Sequence, residues 1–183
     1  MSLRTFVALE LKDHELKRRI AELQKTVLST GAQLKAVEAE NLHITLKFIG
    51  DLPETSVPPV VELLQGIRIP SFTAHFRGLG VFPSSSRINV VWLGVSEGGQ
   101  SIEALSTLVN QKLSSYGKQG DFRAHLTIMR VKGGRNIAEL AETVKKLGEE
   151  EGGTVEFKEF QLKKSVLTPA GPLYSDLAVF PLG

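Results

Sequence analysis

The sequence predicts a two-lobed, internally duplicated fold of mixed strands and helices, with one polar motif strand in each half facing a central groove. Three observations carry this reading. Strand-like and helix-like periodicities alternate along the chain, and the same order of elements occurs twice at nearly equal spacing. A His-apolar-Thr-apolar pattern opens one strand-like run in each half, HITLKFIG at 43–50 and HLTIMRVK at 125–132. With four His and eleven Thr among 183 residues, a His-x-Thr triplet is expected about 0.24 times by chance, so a pair needs a cause.

In chain order, RTFVALEL (4–11) has strand character, and beyond it Leu16, Ile20, Leu23 and Val27 recur at helical spacing from Asp13, a residue suited to cap a helix. After the first motif strand, Pro58 and Pro59 stand where a short helix can begin, with Val57, Val60, Val61 and Leu64 on one face. PSFTAHFRGLGVF (70–82) and RINVVWLGV (87–95) are strand-like runs joined by the loop PSSSR. Ile102, Leu105, Leu108 and Val109 make the next helical stripe, and the second motif strand follows. Ile137, Leu140, Ala141, Val144 and Leu147 mark the last helix. GTVEFKEFQLKKSVL (153–167) and LYSDLAVFPL (173–182) close the chain as two strands around the turn TPAGP.

The repeat lies in the spacing. Arg4 to His43 spans 39 residues and Arg87 to His125 spans 38; helical stripes begin 14 residues after His43 and 12 after His125; strands resume 29 and 30 residues after the two histidines. Each half therefore reads strand, helix, His-x-Thr strand, helix, strand. A chain of 183 residues with 42% apolar content fits one domain over residues 1–183, built of two lobes.

Alternation along a strand places His43, Thr45 and Lys47 on one face and Ile44, Leu46 and Phe48 on the other. Arg123, His125 and Thr127 likewise oppose Ala124, Leu126 and Ile128. Two lobes meeting by their polar faces would line a groove with two imidazoles and two hydroxyls. Imidazoles titrate near neutrality and can act as general base and general acid, while hydroxyls can hydrogen-bond phosphate oxygens. The set suits phosphodiester chemistry without a metal.

Other chemistries are disfavoured by composition. The absence of cysteine removes disulfides, thiolate metal sites and thiol nucleophiles. The motif strands carry no HExxH, no His-x-His and no carboxylate at ligand spacing, so neither a metal nor another cofactor is expected. A net charge of +2 permits a polyanionic ligand but supplies no basic tail. Glu10 and Lys12 interrupt the N-terminus before an apolar signal core could form, and no segment approaches a membrane span, which leads to the expectation of a soluble, cytoplasmic monomer.

In RTFVALEL, HITLKFIGDLP, LGVFPSSSRINVVWLGV, FRAHLTIMR and SVLTPAGPLYSDLAVF, the chain resembles the 2H phosphoesterase superfamily, specifically the bacterial and archaeal RNA 2′,3′-cyclic phosphodiesterases, historically called 2′-5′ RNA ligases. The likeness extends over essentially the whole chain. It implies a bilobal α+β fold with antiparallel sheets lining the groove and helices outside. The implied reaction opens the 2′,3′-cyclic phosphate of an RNA or oligonucleotide end to a 2′-phosphate. His43 would be the proton donor to the leaving 3′-oxygen, His125 the proton acceptor that activates water, and Thr45 and Thr127 phosphate ligands. The near-symmetry of the two copies means that the residues alone do not assign donor and acceptor. Ligation through a 2′-5′ bond is the reverse chemistry open to such a site, and a non-catalytic module that binds a nucleotide or RNA end is the competing reading.

Arg130 occupies the position where the family often carries an arginine after the second motif, and a guanidinium suits a phosphate. Strict alternation from His125 puts it on the wrong face, so a bend or bulge would be required. Lys47 has the right parity for the groove edge. His75 and His14 read as ordinary strand and helix-start residues, Ser84 to Ser86 chiefly as turn chemistry, and Lys163 and Lys164 as solvated lysines able to follow an RNA chain.

Overall fold

The computed structural model describes residues 1–183. It contains nine strands and four helices: β1 (Ser2–Glu10), α1 (His14–Leu28), β2 (Leu34–Ala36), β3 (His43–Pro53), α2 (Val57–Gln65), β4 (Phe72–Ser84), β5 (Arg87–Glu97), α3 (Gly99–Lys112), β6 (His125–Val131), α4 (Ile137–Lys146), β7 (Glu151–Phe157), β8 (Glu159–Thr168) and β9 (Gly171–Pro181). Every helix expected from apolar spacing is present. Asp13 caps α1 by accepting from the Leu16 backbone N–H at 2.8 Å, and Leu16, Ile20, Leu23 and Val27 form its buried face. Pro58 and Pro59 open α2 where their missing N–H groups break no intrahelical bond. No helix is long and apolar enough to cross a membrane.

The strands form two antiparallel sheets, β3-β1-β8-β9 and β2-β6-β5-β4-β7. Helices α2 and α3 pack on the four-stranded sheet, α1 and α4 on the five-stranded one. The fold is thus α+β and two-lobed, and its lobes exchange parts: α1 follows β1 of one sheet but packs on the other, and α3 makes the reciprocal crossing. A cluster of 36 buried apolar residues takes in both sheets and all four helices.

Two sequence expectations need correction. The spacing made β4 and β7 equivalent third strands, one per half, but they lie side by side in the five-stranded sheet. The tight hairpin at Ser84–Arg87 pairs β4 with β5, so the spatial counterpart of β4 beside β5 is β8 beside β1. The run 153–167, read as one strand, divides at Lys158 into β7 and β8, which belong to different sheets. Apolar periodicity reports strand character, and it is blind to which sheet receives the strand.

Candidate active site

The two motif strands are built alike. In the β1–β3 ladder Ala8 faces Thr45 and Val7 faces Lys47, so Leu46 is an extra residue on β3. In the β5–β6 ladder Trp92 faces Thr127 and Val91 faces Met129, so Ile128 is the extra residue on β6. Each strand therefore bulges immediately after its His-x-Thr, which shifts the alternation of every later side chain.

This bulge settles three positions. Arg130 returns to the His125 face and lines the same cavity as the motif residues. Lys47 turns the other way: it is 4% exposed and donates to Asn110 Oδ1 at 3.1 Å and to the Lys118 carbonyl at 3.3 Å, so it supplies no groove edge. Phe48, expected among the buried apolar side chains, is 49% exposed, with the Arg4 guanidinium over its ring. Arg130 and Phe48 occupy corresponding places in the two halves.

All five residues singled out in the sequence, His43, Thr45, His125, Thr127 and Arg130, line one cavity of about 580 Å³, joined there by Tyr174 from β9. Its size is that of a small-molecule site. Each imidazole is fixed by a backbone carbonyl two residues before it: His43 Nδ1 lies 2.7 Å from the Asn41 carbonyl and His125 Nδ1 lies 2.6 Å from that of Arg123. With Nδ1–H donating, Nε2 is the working nitrogen of both rings. His43 Nε2 sits 3.0 Å from Thr45 Oγ1, while His125 Nε2 has no protein hydrogen-bond partner. Asn41 is itself anchored by donating from Nδ2 to the Pro172 carbonyl at 3.1 Å.

Aromatic side chains hold the imidazoles from behind. Phe6 and Tyr174 flank His43, with ring centroids 5.1 and 5.4 Å away, and Phe82 meets His125 edge-on at 5.0 Å. Phe82 in turn packs on Trp92 at 5.2 Å. Gly80 makes room for that indole, since a Cβ there would stand 2.1 Å from Trp92 Cζ2. None of these supports was identified from sequence, because an aromatic residue on a strand signals burial without naming its neighbour.

The electrostatics of the two halves differ. Burial pushes His43 down to about 4; the Asn41 carbonyl opposes this, Lys163 and Arg130 add to it, and Glu10 opposes it weakly. Glu10 lies directly across the β1–β3 ladder from His43, where the second half has Gly94 opposite His125. Lys163 is not a solvated lysine: it is 4% exposed and donates to Glu10 Oε1 at 2.9 Å and Asp176 Oδ1 at 2.7 Å. Burial alone would raise the Glu10 carboxyl, but Lys163 and Lys12 outweigh it and hold the group below its usual range. No sequence signal marks this cluster, since its members come from three strands.

His75 pairs with Glu151, His14 is exposed at the start of α1, and Ser84 accepts from the Arg87 backbone N–H within its turn. No group of three or more His, Cys, Asp or Glu stands where it could hold a metal ion.

The LigT like Phosphoesterase family pattern matches the chain twice, over residues 10–92 and again over 93–174, each match containing one His-x-Thr motif. The chain belongs to the LigT-like phosphoesterase family. The double match also places one family unit in each half. Among its relatives, a protein of Archaeoglobus fulgidus named RNA 2′,3′-cyclic phosphodiesterase is 41% identical over 97% of this chain and 99% of its own length. One of the same name from Methanothermobacter thermautotrophicus is 40% identical, with both chains fully covered. The fold is shared with E. coli LigT in its complex with ATP, with a TM-score of 0.80, 24% identity and coverage of 100% and 99% of the two chains.

Proposed function

We propose that this LigT-like phosphoesterase hydrolyses the 2′,3′-cyclic phosphate end of RNA to a 2′-phosphate by metal-independent acid–base catalysis. The observation that carries the reading is the pair of carbonyl-anchored imidazoles, each beside its own threonine, on a shared cavity with Arg130. The name carried by the two full-length relatives supports the same substrate class.

In this mechanism the phosphate lies between the motif strands, with its non-bridging oxygens accepting from Thr45, Thr127 and Arg130. His125 Nε2 takes a proton from water as the water oxygen attacks phosphorus. The bond from phosphorus to the 3′-oxygen breaks, and His43 Nε2–H gives that oxygen its proton. The products are a 3′-hydroxyl and a terminal 2′-phosphate. A donor must be charged, whereas His43 at about 4 is neutral in the free site. The substrate supplies the correction, because an anion within a few ångströms raises such a group by about 1–3 units. The phosphate thereby charges the acid that will act on it.

Ligation through a 2′-5′ bond runs the same steps with an RNA 5′-hydroxyl in place of water, and mass action in water favours hydrolysis. The neutrality of His43 in the free site is the one observation that favours a non-catalytic binding module instead. Incubation with oligonucleotides ending in 2′,3′-cyclic phosphate separates these readings. Hydrolysis yields a phosphatase-sensitive product about 18 Da heavier, the mass of one added water; a binding module leaves the substrate unchanged while still retaining it.

A further inference from the structure

The cavity is longer than one cyclic phosphate requires. Beyond Thr127 its wall continues along β6 to Arg130 and Lys132, and β2 adds Lys35, which pairs directly across the ladder from Arg130. With Ile128 bulged out, Arg130 is two ladder steps from Thr127 and Lys132, just past the end of β6, about four, which at about 3.3 Å per step is about 7 and 13 Å. No carboxylate lies within ion-pair distance of any of these three cations. Glu38 and Glu40 also border the cavity without an ion-pair partner, so the three cations exceed the carboxylates there by one charge. Lys35 is held in place by donating from Nζ to the Ala170 carbonyl at 3.0 Å, at the turn joining β8 to β9.

Apolar side chains flank the turn that Lys35 contacts. Leu167 and Leu173, at the ends of β8 and β9, are 70% and 62% exposed and line the same cavity. A groove that offers both cations and bare aliphatic groups suits a nucleic-acid strand, which presents phosphates and bases together.

Building on the reaction proposed above, we propose that Lys35, Arg130 and Lys132 form a second phosphate subsite that holds the phosphodiester on the 5′ side of the terminal nucleotide. The enzyme then selects the end of an RNA chain over a free mononucleoside 2′,3′-cyclic phosphate. Arg130 sits at the junction, within reach of both phosphates, while the two lysines serve only the second.

The test compares binding of adenosine 2′-monophosphate and adenosine 2′,5′-bisphosphate by calorimetry, and turnover of a mononucleoside 2′,3′-cyclic phosphate against a short oligonucleotide with the same end. Expected is an affinity for the bisphosphate about 10-fold or more above the monophosphate at low salt, the size of one further charge-assisted contact. A matching gap in kcat/KM is expected between oligonucleotide and mononucleotide. The double variant Lys35→Gln, Lys132→Gln should close both gaps and flatten the salt dependence of bisphosphate binding, without altering monophosphate binding or mononucleotide turnover. Equal wild-type affinity for the two nucleotides overturns the subsite, as does a double variant that weakens both alike. If no cyclic phosphate is turned over but the binding gap persists, the subsite stands and the proposed reaction falls.

Discussion

The neutral state of His43 is the most exposed element of the mechanism, because it makes a titration near pH 4 where an ordinary imidazole titrates near 6.5. That displacement corresponds to about 3 kcal/mol against charging the ring, and leaves about one molecule in a thousand protonated there at pH 7. Two perturbations probe it together: pH, and the quality of the leaving group. For a natural cyclic phosphate both histidines act, and kcat/KM should break near pH 4 whichever role His43 has, since the free enzyme's titrations shape that profile. For a phosphodiester with a nitrophenolate leaving group the departing oxygen needs no proton, so only the base matters. If His43 is the donor, the break near pH 4 disappears with this compound.

Nuclear magnetic resonance of the His43 ring in the free protein, and again with inorganic phosphate bound, gives the same quantity without turnover. The ring should titrate near 4 when free and higher with the anion present. A free-state titration near 6.5 would refute the burial argument outright. Persistence of the pH 4 break with the nitrophenyl ester, as a rise to a plateau, would make His43 the base and His125 the acid.

Four further outcomes are expected. His43→Ala and His125→Ala should each abolish most turnover of a natural cyclic phosphate, whereas Thr45→Ala and Thr127→Ala should lower kcat by about 10- to 1,000-fold each, the range of single oxyanion donors; retention of near wild-type rates in both His variants would take the imidazoles out of the chemistry and refute the acid–base mechanism. Activity should survive EDTA, and its full loss with recovery on adding a divalent ion would contradict the metal-independent scheme. Because the folded pKa of His43 lies below the unfolded one, its neutral form contributes stability that is complete above about pH 6.5 and is lost as pH falls toward 4. Urea titrations should therefore show wild type losing up to about 3 kcal/mol relative to His43→Gln over that interval, and a pH-independent difference would count against it. Gly80→Ala should push the Trp92 ring off Phe82 and destabilise the fold by about 1–3 kcal/mol by overpacking, with reduced activity through the displaced support of His125; an unchanged melting temperature would show that the indole has room to spare.

What the sequence disclosed about the site was the part encoded locally. His43 and Thr45, like His125 and Thr127, are separated by one residue, so strand alternation alone puts each pair on a common face. The recurrence of the pair in both halves then argued for one shared groove. Arg130 shows where that logic stops. Its usefulness depends on the extra residue Ile128, and a bulge is set by the pairing of two strands that no single strand's pattern records. The same device buries Lys47 and exposes Phe48, so two errors and one open question had a single physical origin. Lys163 marks a deeper limit. A lysine among apolar strand residues reads as solvated because burying its charge alone is prohibitive, and only the folded chain brings Glu10 and Asp176 to it from other strands. The lowered titration of His43 follows first from the packing that buries it and then from Lys163 of that cluster. The acid–base character of His43 is thus set largely by residues that lie outside its motif.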